Sequence, residues 1–250
     1  MIANMMMYQW PQLVDAHNRY WALIREELSH RGLDSPEVLS QDAEEFAVWK
    51  NPELVLSQTC GMPYRTWLHD KVQLVGTPDY GLEGCPAGHY RSAIVVRAGD
   101  AREALVDYAN ATFAYNQTFS QSGYGAPYFH CAPLGFWFEN RMQSHGHLMS
   151  AQAVAEGRAD IASLDAVSWR MMQRYEPWAK DLRVLEWTTP TPGLPLIAAA
   201  GADAEATFDA VQAALVRLNP DDKTALSLKS LVKIAKEDYL AVPNPPGTSL

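Results

Sequence analysis

The chain has 250 residues, 48% of them hydrophobic and 20% charged, with a formal net charge of −9. That is enough apolar material for an ordinary globular protein of two modest domains, and the acidity argues against nucleic acid as a partner, because such binding needs a basic surface. No stretch approaches the roughly 20 apolar residues that span a bilayer, so no membrane insertion is expected.

In chain order, Ile2 to Tyr8 predicts a buried strand ended by Trp10-Pro11. It begins without the basic region of a secretory leader. Pro11 to Arg31 predicts a helix, with Leu13, Val14, Tyr20, Trp21, Ile24 and Leu28 at near-helical spacing and Gly32 as its stop. Leu54 to Leu56 is a short strand running into Ser57-Gln58-Thr59-Cys60-Gly61. Val72 to Thr77 and Tyr90 to Arg97 read as strands parted by the Gly/Pro-rich loop 81–88. A helix is expected over Arg102 to Tyr108 and a strand over Thr112 to Tyr115, followed by Ser120-Gln121-Ser122-Gly123. Ser150 to Glu156 predicts a helix stopped by Gly157, and Ile161 to Leu164 a strand with Asp165 at its carboxyl end. A helix over Ala166 to Tyr175, a strand over Leu182 to Trp187 and an apolar run at 196–200 follow. Helices at 204–218 and 223–239 and a loosely held Pro/Gly tail from Val242 to Leu250 complete the expectation.

Alternation of strand and helix implies an α/β protein with mainly parallel sheets, whose ligands bind beyond the carboxyl ends of strands. Four polar groups fall at such ends: Tyr8, Ser57 to Thr59, Ser120 to Gly123, and Asp165. The serine turn has two readings. The first amides of a helix lack internal partners and carry partial positive charge, so two hydroxyls and a glycine there make a seat for an oxyanion. Alternatively the serines only cap their own helix, as Ser57, Thr59 and Asp165 also can. Tyr8 can equally finish a core strand. Three cysteines (Cys60, Cys85, Cys131) without zinc spacing, and His145 and His147 only two apart, give no metal and no other cofactor.

These segments together resemble the phosphate/phosphonate-type substrate-binding proteins of ABC transporters, a type 2 periplasmic-binding-protein family. The pieces that carry the resemblance are Met7-Tyr8, Leu56 to Gly61, Val75 to Pro78, Tyr90-Arg91-Ser92, Ser120 to Gly123 and His147 to Ser150. The run from Ala153 to Ala162 leading to Asp165 is the most diagnostic. The resemblance implies two α/β lobes joined by two crossover strands that act as a hinge. Lobe one would hold 1–95 plus 190–250 and lobe two 96–189, with crossings near Val95 to Arg97 and Thr189 to Gly193. It implies ligand contacts at Tyr8, Ser57, Gln58, Thr59, Ser120, Gln121, Ser122, His147 and Asp165, in a cleft that closes on the ligand.

The implied ligand is a small anion or zwitterion, a phosphonate- or phosphate-like oxyanion first of all, and the implied partner is an ABC permease. Gln121 departs from the Ser-Thr-Ser-Gly turn of phosphonate binders, which alters the pocket. A carboxylate at Asp165 implies a ligand that also carries a donor. Cys60 and Cys85 recur as a pair in closer relatives, as a disulfide or as two separate thiols. A monomer or weak dimer is expected, periplasmic where a leader has been removed and cytoplasmic otherwise. The alternative is a cytoplasmic enzyme of this fold, similar to naphthoate synthases, with His147 as general base and the 120–122 amides as an oxyanion site. An effector domain of a regulator shares the fold, but no helix-turn-helix precedes it.

Overall fold

The computed structural model describes residues 1–248. In chain order the elements are β1 (Ile2–Asn4), α1 (Val14–His30), α2 (Glu45–Trp49), β2 (Leu54–Gln58), α3 (Gly61–Pro63, continued by a wide turn at Tyr64–Leu68) and β3 (Val72–Asp79). Next come β4 (His89–Tyr90), β5 (Ser92–Arg97), β6 (Phe113–Tyr115), a wide helical turn at Gln121–Gly125 and α4 (Ala126–Cys131). The middle closes with β7 (Arg141–Gln143), α5 (His147–Ala155), β8 (Ile161–Asp165), α6 (Ala166–Tyr175) and β9 (Leu182–Trp187). The last are β10 (Thr191–Pro192), β11 (Leu196–Ala199), α7 (Ala204–Arg217), α8 (Pro220–Leu226), β12 (Ser230–Val232) and α9 (Lys236–Leu240).

The chain divides into two compact units: Met1–His89 with Pro192–Ala241, and Tyr90–Thr191 with the tail from Val242 onward. The tail expected to be loosely held thus clusters with the second unit as far as the described residues run; 249 and 250 lie outside them.

Unit 1 is built on a five-stranded sheet in the order β1-β2-β11-β3-β12. β1 runs parallel to β2, whereas β11 is antiparallel to both β2 and β3, and β12 is antiparallel to β3. Its core joins Val48, Trp49, Leu54, Tyr64, Leu68, Val72, Ile197 and Tyr239. α1 buries Ala16, Tyr20, Trp21, Ile24 and Leu28, one stripe at 3–4 residue spacing, and packs on α7. Gly32, at φ 71°, ends it in the left-handed conformation that glycine reaches without steric cost.

Unit 2 has the sheet order β7-β6-β8-β5-β9. β6 is parallel to β7 and β8, and β5 is antiparallel to β8 and β9. Ile94, Val96, Tyr108, Phe113, Phe138 and Ile161 form its core, with Phe113 and Phe138 stacked at 4.7 Å. The 153–162 run earns its regularity here. Gly157 (φ 77°) stops α5, and the Arg158 and Ala159 amides return to the Ala153 carbonyl. Asp160 then accepts the Thr112 amide and the Arg97 guanidinium, which fixes α5 to the edge of β6 and to β5.

Four expectations are corrected. Both sheets are mixed rather than mainly parallel, because β11 and β5 enter against the direction of their neighbours. The first strand stops at Asn4, whose Oδ1 accepts the Met6 amide and turns Met6–Tyr8 into a 3-10 turn, so Tyr8 is not a strand end. The helix expected over 102–108 is only a 3-10 turn at Leu105–Tyr108, with Arg102 committed to the Asp100 carboxylate. The single helix expected over 223–239 is α8, β12 and α9: Ser227 takes φ 56°, and Ser230 to Val232 pair with β3.

Candidate functional site

In unit 2, three helical N-termini start at or beside predicted site residues. Ser120 caps the turn that begins at Gln121; its Oγ accepts the Gly123 amide at 3.0 Å, and its carbonyl accepts the Tyr124 and Gly125 amides. The Ser122 amide falls in the first turn, where a helix offers no internal acceptor. α5 begins at His147 itself, and α6 is capped by Asp165. Each start adds partial positive charge.

Two of these starts touch through side chains. Ser122 Oγ lies 2.8 Å from His147 Nε2, and Asn116 Nδ2 lies 3.5 Å from the same nitrogen. Ser163 on β8 donates its hydroxyl to the Ser122 carbonyl at 2.7 Å, fixing the turn to the sheet. Burial lowers the His147 pKa to about 4, partly offset by the Ser163 backbone, so the ring is neutral at pH 7. A neutral ring with Nε2 accepting from the Ser122 hydroxyl places the ring proton on Nδ1, which is shut off from solvent and makes no hydrogen bond of good geometry. Asn116 Oδ1 is likewise buried without a partner. His145, just ahead, holds φ 69°, an uncommon backbone state for a non-glycine residue.

Gly123 is required by this packing. A Cβ there would fall 1.9 Å from Asn116 Oδ1 and 3.2 Å from His147 Cε1. Asp165 is buried, and its Oδ1 accepts the Val167 and Ser168 amides at 2.7 and 3.1 Å. It is therefore a helix cap at the end of β8, beside Ser92, its register partner on β5.

In unit 1, Ser57 and Thr59 are fully buried and Gln58 nearly so. Gln58 Nε2 donates to the Leu194 carbonyl at 3.1 Å and reaches Tyr80 OH at 3.2 Å. Ser57 Oγ leans on the Gln58 carbonyl, and the Thr59 amide is taken by the Pro195 carbonyl at 3.0 Å. Tyr8 packs edge-on against Tyr80 at 5.0 Å. With Gln58 it borders a mostly apolar cavity of about 40 Å3 that His17 also lines. Cys60, Cys85 and Cys131 stand as thiols, so Cys60 and Cys85 form no disulfide.

Within unit 2 the predicted Ser120, Gln121, Ser122 and His147 come together, while Asp165 acts as a cap. Within unit 1, Tyr8 and Gln58 meet through Tyr80, and Ser57 and Thr59 flank Gln58 along the chain. Asn116, Ser163 and Tyr80 also shape these clusters and gave no sequence signal. Asn116 and Ser163 act through contacts distant in sequence, and Tyr80 reads as a loop aromatic. Among the described residues no cluster of metal-binding side chains occurs, and no helix is long and apolar enough to cross a membrane.

A family profile described as "ABC transporter, phosphonate, periplasmic substrate-binding protein" matches residues 58–239. Among curated proteins no match was found. Solved structures agree on the fold. PhnD1 from Prochlorococcus marinus, in complex with methylphosphonate, superposes with TM-score 0.69 at 15% identity, covering 95% of this chain and 94% of that one. A binding protein component of an ABC phosphonate transporter from Pseudomonas aeruginosa gives 0.67 at 16% identity, covering 96% and 82%. XAC2383 from Xanthomonas citri, bound to ATP, gives 0.66 at 14% identity, covering 95% and 92%. The two-lobed type 2 binding-protein fold is thereby established. The matched family is one of binding proteins, which leaves the enzyme reading with His147 as general base unsupported.

Proposed function

The chain belongs to the phosphonate-type periplasmic substrate-binding family of ABC transporters, whose members bind a solute and are not enzymes, and from that premise we propose that it captures a small phosphonate- or phosphate-like anion for an ABC permease. The observation that carries this is the contact of Ser122 Oγ with a neutral His147 at 2.8 Å, where two helical N-termini begin.

An oxyanion placed there would accept from the Ser122 amide and the Ser120 hydroxyl, and from the Ser122 hydroxyl once Nε2 carries a proton, so that His147 donates to Ser122 Oγ and Ser122 donates to the anion. Asp165, the carboxylate at the end of β8, already accepts two amides. Gln121 contributes to the same turn. Tyr8, Ser57, Gln58 and Thr59 are proposed as the ligand contacts that unit 1 contributes, at and beside the turn after β2. Working with a permease places the protein in the periplasm, where the family operates.

The test is calorimetric titration with methylphosphonate, phosphate and sulfate, with thermal stabilisation as a second readout. Ser122→Ala should weaken the bound anion about three- to tenfold, the range of one net hydrogen bond, and cost about 1–3 kcal/mol of stability because His147 Nε2 loses its donor, with the protein still folded. Unaltered affinity in Ser122→Ala, or no anion bound by the unsubstituted protein, removes the serine turn from the site.

A further inference from the structure

His147 stands between two demands that a single ring proton cannot meet. In the protein alone, Nε2 accepts from Ser122 Oγ at 2.8 Å, so the proton of the neutral ring sits on Nδ1. An anion on the serine turn reverses that contact: for the Ser122 hydroxyl to donate to the anion, Nε2 must itself donate to Ser122 Oγ. Moving the one proton across the ring would leave Nδ1 a bare acceptor, shut off from solvent and without a paired donor. A second proton on Nε2 meets both demands. Asn116 is placed to support it: Nδ2 lies 3.5 Å from Nε2 while Oδ1 is buried without a partner, so a half-turn of the amide offers Nε2 a second acceptor.

The elements packed on α5 include β5, β6, β8, α6 and the 3-10 turn at Pro177–Asp181. On β5, Arg97 is held by Asp160 and by the Val154 and Ala159 carbonyls, at the far end of α5. On β8, Asp165 accepts two amides. β6 brings Tyr115, the serine turn Tyr124, α6 Arg170, Arg174 and Tyr175, and the 3-10 turn Lys180 and Asp181; His145 lies just ahead. None of these acts on the charge of His147, which responds to burial and to the Ser163 backbone. The positive end of α5 also falls at His147 and favours the neutral ring until a negative charge arrives. An opposite charge about 4–6 Å away moves a pKa by about 1–3 units, which carries the ring from about 4 toward about 7.

We propose that an anion settles on the serine turn as an ion pair with the His147 imidazolium, joined through the Ser122 hydroxyl, so that capture is coupled to protonation of that ring. The inference rests on the anion seat proposed above. The proton comes from water, or from the acidic oxygen of a singly protonated anion, and bonds to the Nε2 lone pair. Ser122 then turns its own hydroxyl proton from Nε2 to the anion, and no other bond changes. Binding therefore weakens as pH rises past the range in which the bound ring stays charged.

Nitrogen-15 NMR of the His147 ring at pH 6 tests this, with methylphosphonate as the probe. The protein alone should show a neutral ring protonated on Nδ1, and the saturated complex an imidazolium protonated on both nitrogens. A ring that stays neutral in the complex, in either tautomer, overturns the inference while leaving the anion seat intact. A ring already charged before the probe is added does the same. Calorimetry on Ser122→Ala gives a second reading, in which the titration of methylphosphonate itself cancels between the two proteins. The advantage of the unsubstituted protein over this variant should be about three- to tenfold at pH 6 and shrink to about twofold or less at pH 8.5. An advantage that holds steady across that range overturns the coupling through Ser122. Methylphosphonate bound by neither protein overturns the anion seat itself, and the inference falls with it.

Discussion

The turn after β2 in unit 1 and the turn after β6 in unit 2 are written in the same sequence grammar, a short strand followed by small polar residues and a helical start, yet they end in different electrostatic states. Around Ser57 to Thr59 the Gln58 side chain goes to Leu194 and Tyr80, the Ser57 and Thr59 hydroxyls to the adjacent Gln58 and Cys60 carbonyls, and the Thr59 amide to Pro195. Around Ser120 to Ser122 the hydroxyls remain local, but Ser122 reaches His147, whose Nδ1 lacks a hydrogen bond of good geometry, and Asn116 Oδ1 is buried without one. Unmatched buried polar atoms cost stability and are normally avoided; His17 Nδ1, on the cavity that Tyr8 and Gln58 border, is another such atom in unit 1.

The largest expected effect is on acid stability, where each unit carries one buried neutral histidine. His17 in unit 1 and His147 in unit 2 are both lowered by burial to about 4. The unfolded chain then binds more protons than the folded one between about pH 4 and 6.5. Their contribution is fully present above the ordinary histidine value near 6.5 and is lost as pH falls toward 4, on the order of a few kcal/mol for the pair. Urea unfolding across that range should show the slope, and His17→Leu and His147→Gln should each flatten it. A slope unchanged in both variants would assign it to the carboxylates instead.

The next effect sharpens the contrast directly. Gly123→Ala should displace Asn116 or His147 and cost about 1–3 kcal/mol of stability, the usual range for overpacking, together with at least about tenfold in anion affinity. Retained affinity in a folded Gly123→Ala protein would break the link between this packing and binding. Gln58→Ala in unit 1 should behave oppositely. It leaves the Leu194 carbonyl without a buried donor, so about 1–3 kcal/mol should appear in chemical denaturation, with a smaller change in binding than Gly123→Ala. If Gln58→Ala abolishes binding while stability holds, the unit 1 turn is not merely a joint.

The smallest expected effect is at Asp165. Asp165→Ala removes the α6 cap and should cost about 0.5–2 kcal/mol, most of which Asp165→Asn or Asp165→Ser should restore. Restoration of stability without restoration of affinity would show that the carboxylate contacts the ligand as well as the helix.

Much of the middle of the chain was legible because local signals agreed. The α6 boundaries at Ala166 and Tyr175 and the β9 boundaries at Leu182 and Trp187 match the expectation, since a cap, an amphipathic stripe and a strand-length apolar run coincide there. The region after Pro220 was not legible. Lys223 to Tyr239 has enough charged and apolar residues at helical spacing to suggest one helix, but Leu231 is needed against β3, and that demand comes from a strand some 150 residues earlier. Tyr8 failed for a similar reason: Asn4 bonds both to Met6 and to the Ser40 carbonyl, and the second bond lies far along the chain. For the candidate site, the sequence pointed to Ser120 to Ser122, His147 and Asp165 but gave no sign of the contacts made by Asn116, Ser163 and Tyr80.

The sequence by itself determined the alternation of elements, the family, and the rule that polar residues cluster where strands hand over to helices, because these depend on neighbours within a few residues. Only the tertiary structure decided which of those polar groups are consumed by the protein and which stay available. Hydrogen-bond satisfaction is a property of the surroundings, and the groups that satisfy Gln58 or leave His147 wanting come from segments that approach only after folding.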